Sequence, residues 1–177
     1  SVGFGGGMIL LPTITYFYGI EVAVPVSTIA QMLSNLSKVG MGWREINWKA
    51  VGRFLILAVP FTALGAFGFA KLPKGPMTIV LSSFLIVFAV MKIMGKMQLP
   101  HKPMTMSAVF LTLDLAPVSY IASEATAAAV MHIVKAIVYG KLNLMSGNIF
   151  LSGLMIGCAM MLGNFIAMRC IRNVNKK

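Results

Sequence analysis

The chain has 177 residues, of which 58% are hydrophobic and 11% charged, with a mean hydropathy of +0.87. Such a composition excludes a soluble globular domain with a single anchor and predicts an all-α integral membrane protein, a polytopic helical bundle forming one transmembrane domain over 1–177. The formal charge of +11 comes from 15 Lys and Arg against 4 acids, but the basic residues are scattered between apolar segments, without the interleaved aromatics of a nucleic-acid groove. They are read as loop charges and headgroup contacts, and no nucleic-acid partner is expected.

Taken in order, the chain opens on Ser1-Val-Gly-Phe-Gly-Gly-Gly-Met-Ile-Leu-Leu-Pro12, with neither an initiator Met nor a signal peptide. It is therefore expected to begin inside a longer protein. Gly3, Gly5, Gly6 and Gly7 predict non-helical backbone leading into a helix near Met8, and Pro12 is expected to interrupt the apolar run that ends near Tyr18. Glycines here serve either close helix packing or, as broken backbone offering N–H groups, contact with an anion.

The second apolar segment, Val22 to Met41, carries Ser27, Thr28, Gln31, Ser34, Asn35 and Lys38. Thr28, Gln31, Asn35 and Lys38 recur at helical spacing and form one polar face. Single Ser or Thr residues in such helices are accounted for by interhelical hydrogen bonds, but a stripe of this length predicts a pathway lining. Gly42 to Lys49 reads as an interfacial loop with Trp43, Arg44, Glu45 and Trp48. The third span, Ala50 to Ala70, holds Pro60 and the small residues Ala63, Gly65, Ala66 and Gly68, which predict tight packing. Lys71 to Pro76 is a turn, Met77 to Met94 a plain apolar span, Pro100 to Pro103 a loop, and Met104 to Leu113 is too short to cross as a helix.

Ile121 to Gly140 is long and apolar enough to span a bilayer, yet it carries Glu124, His132 and Lys135. An ionisable side chain at mid-membrane costs roughly 2.5 to 3.5 kcal/mol on insertion scales and usually faces a bundle interior or an aqueous cavity. Glu124, Ala128, His132, Lys135 and Tyr139 share one helical face. Met145 to Cys170 is a last apolar helix containing Gly153, Gly157 and Gly163. Its two cysteines, Cys158 and Cys170, lie about 18 Å apart along a helix and cannot pair within it. No metal-ligand spacing occurs, and neither metal nor cofactor is expected.

A weak internal repeat joins the two polar spans. Val26-Ser-Thr-Ile-Ala30 aligns with Ala122-Ser-Glu-Ala-Thr126, Lys38 falls near Lys135, and Ala63-Leu-Gly-Ala-Phe67 lies over Met161-Leu-Gly-Asn-Phe165, at offsets of 96 to 98 residues. Halves over 1–98 and 99–177, with Gly- or Pro-interrupted helices and a substrate held between them, are therefore expected.

Gly3-Phe-Gly-Gly-Gly-Met-Ile-Leu-Leu-Pro12, Val26-Ser-Thr28, Ile121-Ala-Ser-Glu-Ala125 and Met131-His-Ile-Val-Lys-Ala-Ile-Val-Tyr-Gly140 resemble the TauE/SafE sulfite-exporter family of membrane permeases. The resemblance is spread over nearly the whole chain. It implies a multi-pass carrier of the cell inner membrane for sulfite, organosulfonates or related sulfur-containing or carboxylate anions. That family usually has a helix before the glycine-rich motif, a second such motif ahead of the Glu124 region, and a further span near the C-terminus; their absence here implies a fragment or omitted segments. Lys38, Arg44, Lys49 and Arg53 predict a cytoplasmic second loop, whereas counting the visible spans onward places the basic C-terminus on the opposite side.

The expected function is secondary transport of small anions. Gly5, Gly6, Gly7, Ser27, Thr28, Gln31, Asn35, Lys38, Ser123 and Lys135 are the candidate substrate contacts, and Glu124 and His132 the candidates for proton coupling. Glu124 also fits a structural, hydrogen-bonded acid, and both lysines fit snorkelling from the ends of their spans. The alternatives are an integral-membrane enzyme with His132 as base and a non-transporting membrane subunit. With one intramembrane His, no His-Glu-x-x-His, no acid pair and no Gly-x-Ser-x-Gly, no catalytic residues are assigned.

Overall fold

In a computed structural model, residues 5–73 and 115–174 are described, with isolated positions between 75 and 90. Gly3, most of the expected span over 77–94, the loop over 100–103 and the short segment over 104–113 lie outside them. The described residues form five α-helices and contain no strand: α1 (Gly5–Tyr18), α2 (Ile20–Gly42), α3 (Trp48–Lys71), α4 (Pro117–Lys141) and α5 (Gly147–Val174). By length and composition Trp48–Lys71, Val118–Lys141 and Gly147–Arg169 can each cross a membrane. The chain is thus an all-α membrane protein. Helix α2, 23 residues and about 35 Å long, is long enough as well, but its polar stripe dilutes its hydropathy.

Two expectations about broken backbone are corrected. Gly5, Gly6 and Gly7 are helical, and α1 runs on through Pro12. The interruption falls instead at Gly19, whose φ of 78° lies in the left-handed region that glycine enters without a Cβ penalty, so one residue suffices to turn α1 into α2. Pro25 and Pro60 also sit inside continuous helices, as membrane helices tolerate when neighbours satisfy the freed carbonyls.

Helix α2 is the hub, packing against α1, α4 and α5, while α3 packs on α4. At one end of the bundle Val39, Ile46, Val51, Ala122 and Ala125 form one apolar cluster; at the other Ile20, Ala66, Phe69 and Tyr139 form another. These clusters make α2 and α4 antiparallel and α3 and α4 parallel, with the Phe69 and Tyr139 rings 5.6 Å apart. A Cβ on Gly153 would lie 2.7 Å from Ile29 Cβ, and one on Gly157 2.6 Å from Leu33 Cδ1, so α5 runs parallel to α2 at a distance only glycine permits. A Cβ on Gly42 would meet Ala122 Cβ at 2.6 Å, which marks an equally close approach of α2 to α4.

The tight packing expected of Gly65 and Gly68 is not found among the described residues: neither has anything within 4 Å of a Cβ position. The outer face of α3 instead presents Ile56, Leu57, Phe61 and Leu64, an apolar surface of the kind lipid covers. Asn164 lies against Ser34 and Ser37 in the last third of α2, so Arg169, five residues on, lies toward the same end of the bundle as Arg44, Lys49 and Arg53, not at the opposite end that counting the visible spans gives.

Candidate functional site

The stripe Thr28, Gln31, Asn35 and Lys38, continued one turn, reaches Gly42, the residue that touches Ala122. The polar face of α2 is therefore the face turned to α4. Between the Gly42–Ala122 contact and the Ile20–Tyr139 cluster, the antiparallel run sets Gln31 at about the level of His132, and Thr28 at about that of Lys135. Lys38 lies within electrostatic reach of both Glu124 and His132, and Lys135 within reach of His132. Two stripes that are separate in sequence thus form one seam of Lys38, Glu124, His132 and Lys135.

Each candidate then has a definite environment. Lys38 Nζ donates to Asn35 Oδ1 at 3.1 Å, so these two act as a unit on the rim of the seam. Thr28 is buried and spends its hydroxyl proton on Val24 O at 2.8 Å, which leaves its oxygen as an acceptor only. Gln31, Glu124 and Lys135 are half-buried. Ser123 is fully buried and accepts from the backbone N–H of Asn47 at 2.9 Å, so its oxygen holds the loop after α2 against α4. Asn47 in turn caps α3, its Oδ1 accepting from Ala50 N at 3.1 Å.

Ser27 and His132 are different. Ser27 is 4% exposed and His132 9% exposed, and Ser27 Oγ and His132 Nδ1 are buried polar atoms without a hydrogen-bond partner. Leaving such an atom unsatisfied costs about 1 to 3 kcal/mol, a penalty that a bound polar ligand can remove. They sit on the two helices that form the seam, and they are the only atoms of this kind found among the described residues.

One polar contact had no counterpart among the candidates. Asn164 on α5 places Nδ2 at 2.9 Å from Ser34 O, 2.8 Å from Ser34 Oγ and 3.1 Å from Ser37 Oγ, fastening α5 to α2 beside the seam. The signal was present in the sequence, since Asn164 is the one amide between Ser152 and Arg169 in an apolar helix. Among the described residues no three His, Cys, Asp or Glu side chains gather as a metal site.

Five packed helices, an apolar exterior and a seam bearing four ionisable side chains define an all-α membrane protein with a polar seam between two of its helices. The chain belongs to the sulfite exporter TauE/SafE family, whose profile matches residues 1–113. The match takes in the glycine-rich opening and Val26-Ser-Thr28 with all of α1 to α3, and it stops before Ile121, so the resemblance expected at α4 lies outside it. Membership makes the chain part of a family of membrane transporters. No curated protein and no solved structure matches it.

Proposed function

We propose that the chain is a secondary transporter of small oxyanions, sulfite or a small organosulfonate, in the cell inner membrane, and that the seam between α2 and α4 holds the anion. The observation that carries this reading is the pair of buried, unpartnered polar atoms, Ser27 Oγ and His132 Nδ1, on the two helices whose seam also contains two lysines and two side-chain amides. A hydroxyl and an imidazole N–H both donate to anion oxygens. Lys38 and Lys135 add the positive potential that makes dehydration of an anion tolerable. Gln31 and Asn35 contribute further donors, and Glu124 is the carboxylate available for proton coupling.

Two features of the sequence-based reading are revised in this proposal. Gly5, Gly6 and Gly7, being helical, are not retained as anion contacts. Ser123 holds Asn47 and belongs to the scaffold. The repeat into halves is supported by the packing pattern, because exchanging α2 with α4 and α3 with α5 maps the parallel α2–α5 pair onto the parallel α4–α3 pair.

The test is flux into sealed proteoliposomes containing the full chain, with sulfite and a small sulfonate supplied outside. Saturable uptake with both compounds recovered unchanged is expected. Conversion of the compound without uptake would replace the reading by an enzyme, and neither uptake nor conversion by a non-transporting subunit.

A further inference from the structure

We propose that the turn between α2 and α3 is a binding site for the phosphate headgroup of an anionic phospholipid. This site is distinct from the seam and does not depend on what the seam carries. A groove of about 440 Å³ opens here, lined by Gly40, Met41, Trp43, Arg44 and Glu45. Trp43 and Trp48 flank the turn, with ring centroids 5.0 Å apart in an edge-on arrangement. Both are more than half exposed, at 58% and 52%. Indoles with this exposure at the end of membrane helices occupy the headgroup region.

Charge supplies the specificity. Arg44, Lys49 and Arg53 are all exposed, and Lys49 and Arg53, four residues apart, share one face of α3. Lys49 occupies the first turn of α3, which contains no acid. A cation there opposes the helix dipole, whose positive end lies at the N-terminus, so the placement is unfavourable for the isolated protein. An anion seated at the turn relieves that conflict and meets the guanidinium of Arg44 at the groove. Glu45 reduces the patch to a net charge of two, enough to favour a phosphate diester over a zwitterionic lipid.

The turn is also held in place before any lipid arrives. Ile46 is buried in the apolar cluster, the Asn47 N–H is fixed on Ser123 Oγ at 2.9 Å, and the Asn47 side chain caps Ala50 N. Trp43, Arg44 and Trp48 therefore project from a fixed frame and lose little freedom on binding. The anionic leaflet of a cell membrane supplies the ligand, each nearby Lys or Arg strengthening attraction about fivefold.

The experiment is lipid retention by the full chain in mild detergent, read by native mass spectrometry with short-chain phosphatidylglycerol and phosphatidylcholine as competing probes. Wild type is expected to retain phosphatidylglycerol selectively. The combined Arg44→Gln, Lys49→Gln and Arg53→Gln variant is expected to bind it at least about tenfold more weakly, while Lys71→Gln with Lys141→Gln, at the opposite end, leaves retention unchanged. Should the triple variant not be recovered folded, Arg44→Gln alone decides, with a loss of about threefold or more expected. Equal retention by wild type and these variants, or retention of phosphatidylcholine as strong as that of phosphatidylglycerol, would overturn the proposal.

Discussion

Ser27 and Ser123, which align in the sequence comparison of the two polar spans, have different fates, and the difference lies in their surroundings. Ser123 Oγ is taken by the Asn47 N–H, whereas Ser27 Oγ, also buried, is left without a partner. A purely structural account leaves Ser27 and His132 with no reason to be polar. Replacing Ser27 by Ala removes a desolvated hydroxyl, so the apo protein should gain about 1 kcal/mol, read as a rise in thermal midpoint in detergent. A fall of similar size would indicate that the hydroxyl already has a structural partner. Ser123→Ala should lower the midpoint instead, because it removes the acceptor of the part-buried Asn47 N–H. The proposed roles of the charged residues are read from flux. Glu124→Gln keeps shape and hydrogen bonding while abolishing titration, so uptake driven by a pH gradient should fall toward the rate without one; undiminished pH-driven uptake would make this carboxyl structural. Lys135→Gln removes a fixed charge and should weaken anion binding about tenfold at every pH, a change that binding isotherms at two pH values would detect.

Some features of the helices follow from periodicity and others are decided only by packing. The ends of α2, α3, α4 and α5 fall within a few residues of the expected spans, because apolar runs of this length leave the backbone no alternative to helix in a bilayer. The polar faces of α2 and α4 were legible for the same reason, as period-3.6 stripes of side chains too polar for lipid. Gly5 to Gly7 were not, since glycine's conformational freedom permits both extended and helical backbone and only the neighbours decide. The glycines of α5 make the same point, Gly153 and Gly157 being packed against α2 while Gly163 stands in open space. Gly153→Ala drives a Cβ into Ile29 Cβ and to 3.0 Å from the backbone oxygen of Val26, and should cost about 1 to 3 kcal/mol. Gly163→Ala, with nothing within 4 Å, should be neutral or raise stability by up to about 1 kcal/mol through helix propensity. Thermal unfolding of the two variants side by side checks the α2–α5 packing, and equal effects would contradict it.

At the scale of the molecule, the antiparallel pair α2 and α4 is the frame, with α5 clamped to one member and α3 to the other. The clamps are built differently: Gly153, Gly157 and Asn164 on the α2 side, Phe54 and Leu55 packed on the apolar cluster that holds Val51, Ala122 and Ala125 on the α4 side. Which residues build each clamp is a property of the interface rather than of either helix, so the periodicity of a single span does not disclose it. Asn164→Leu should loosen α5 from α2 and lower the thermal midpoint by an amount equivalent to about 1 to 3 kcal/mol, since Ser34 and Ser37 lose a shared donor.

We propose the seam between α2 and α4 as the anion site, and equilibrium binding of sulfite to the purified full chain, compared with a Ser27→Ala, His132→Leu double variant, decides whether it is. Saturable binding by wild type and at least about tenfold weaker binding by the variant are expected, with thermal stability equal or higher, since each lost donor to an anion is worth about 1.5 to 3 kcal/mol. Unchanged affinity in a folded double variant would place the anion elsewhere and contradict it.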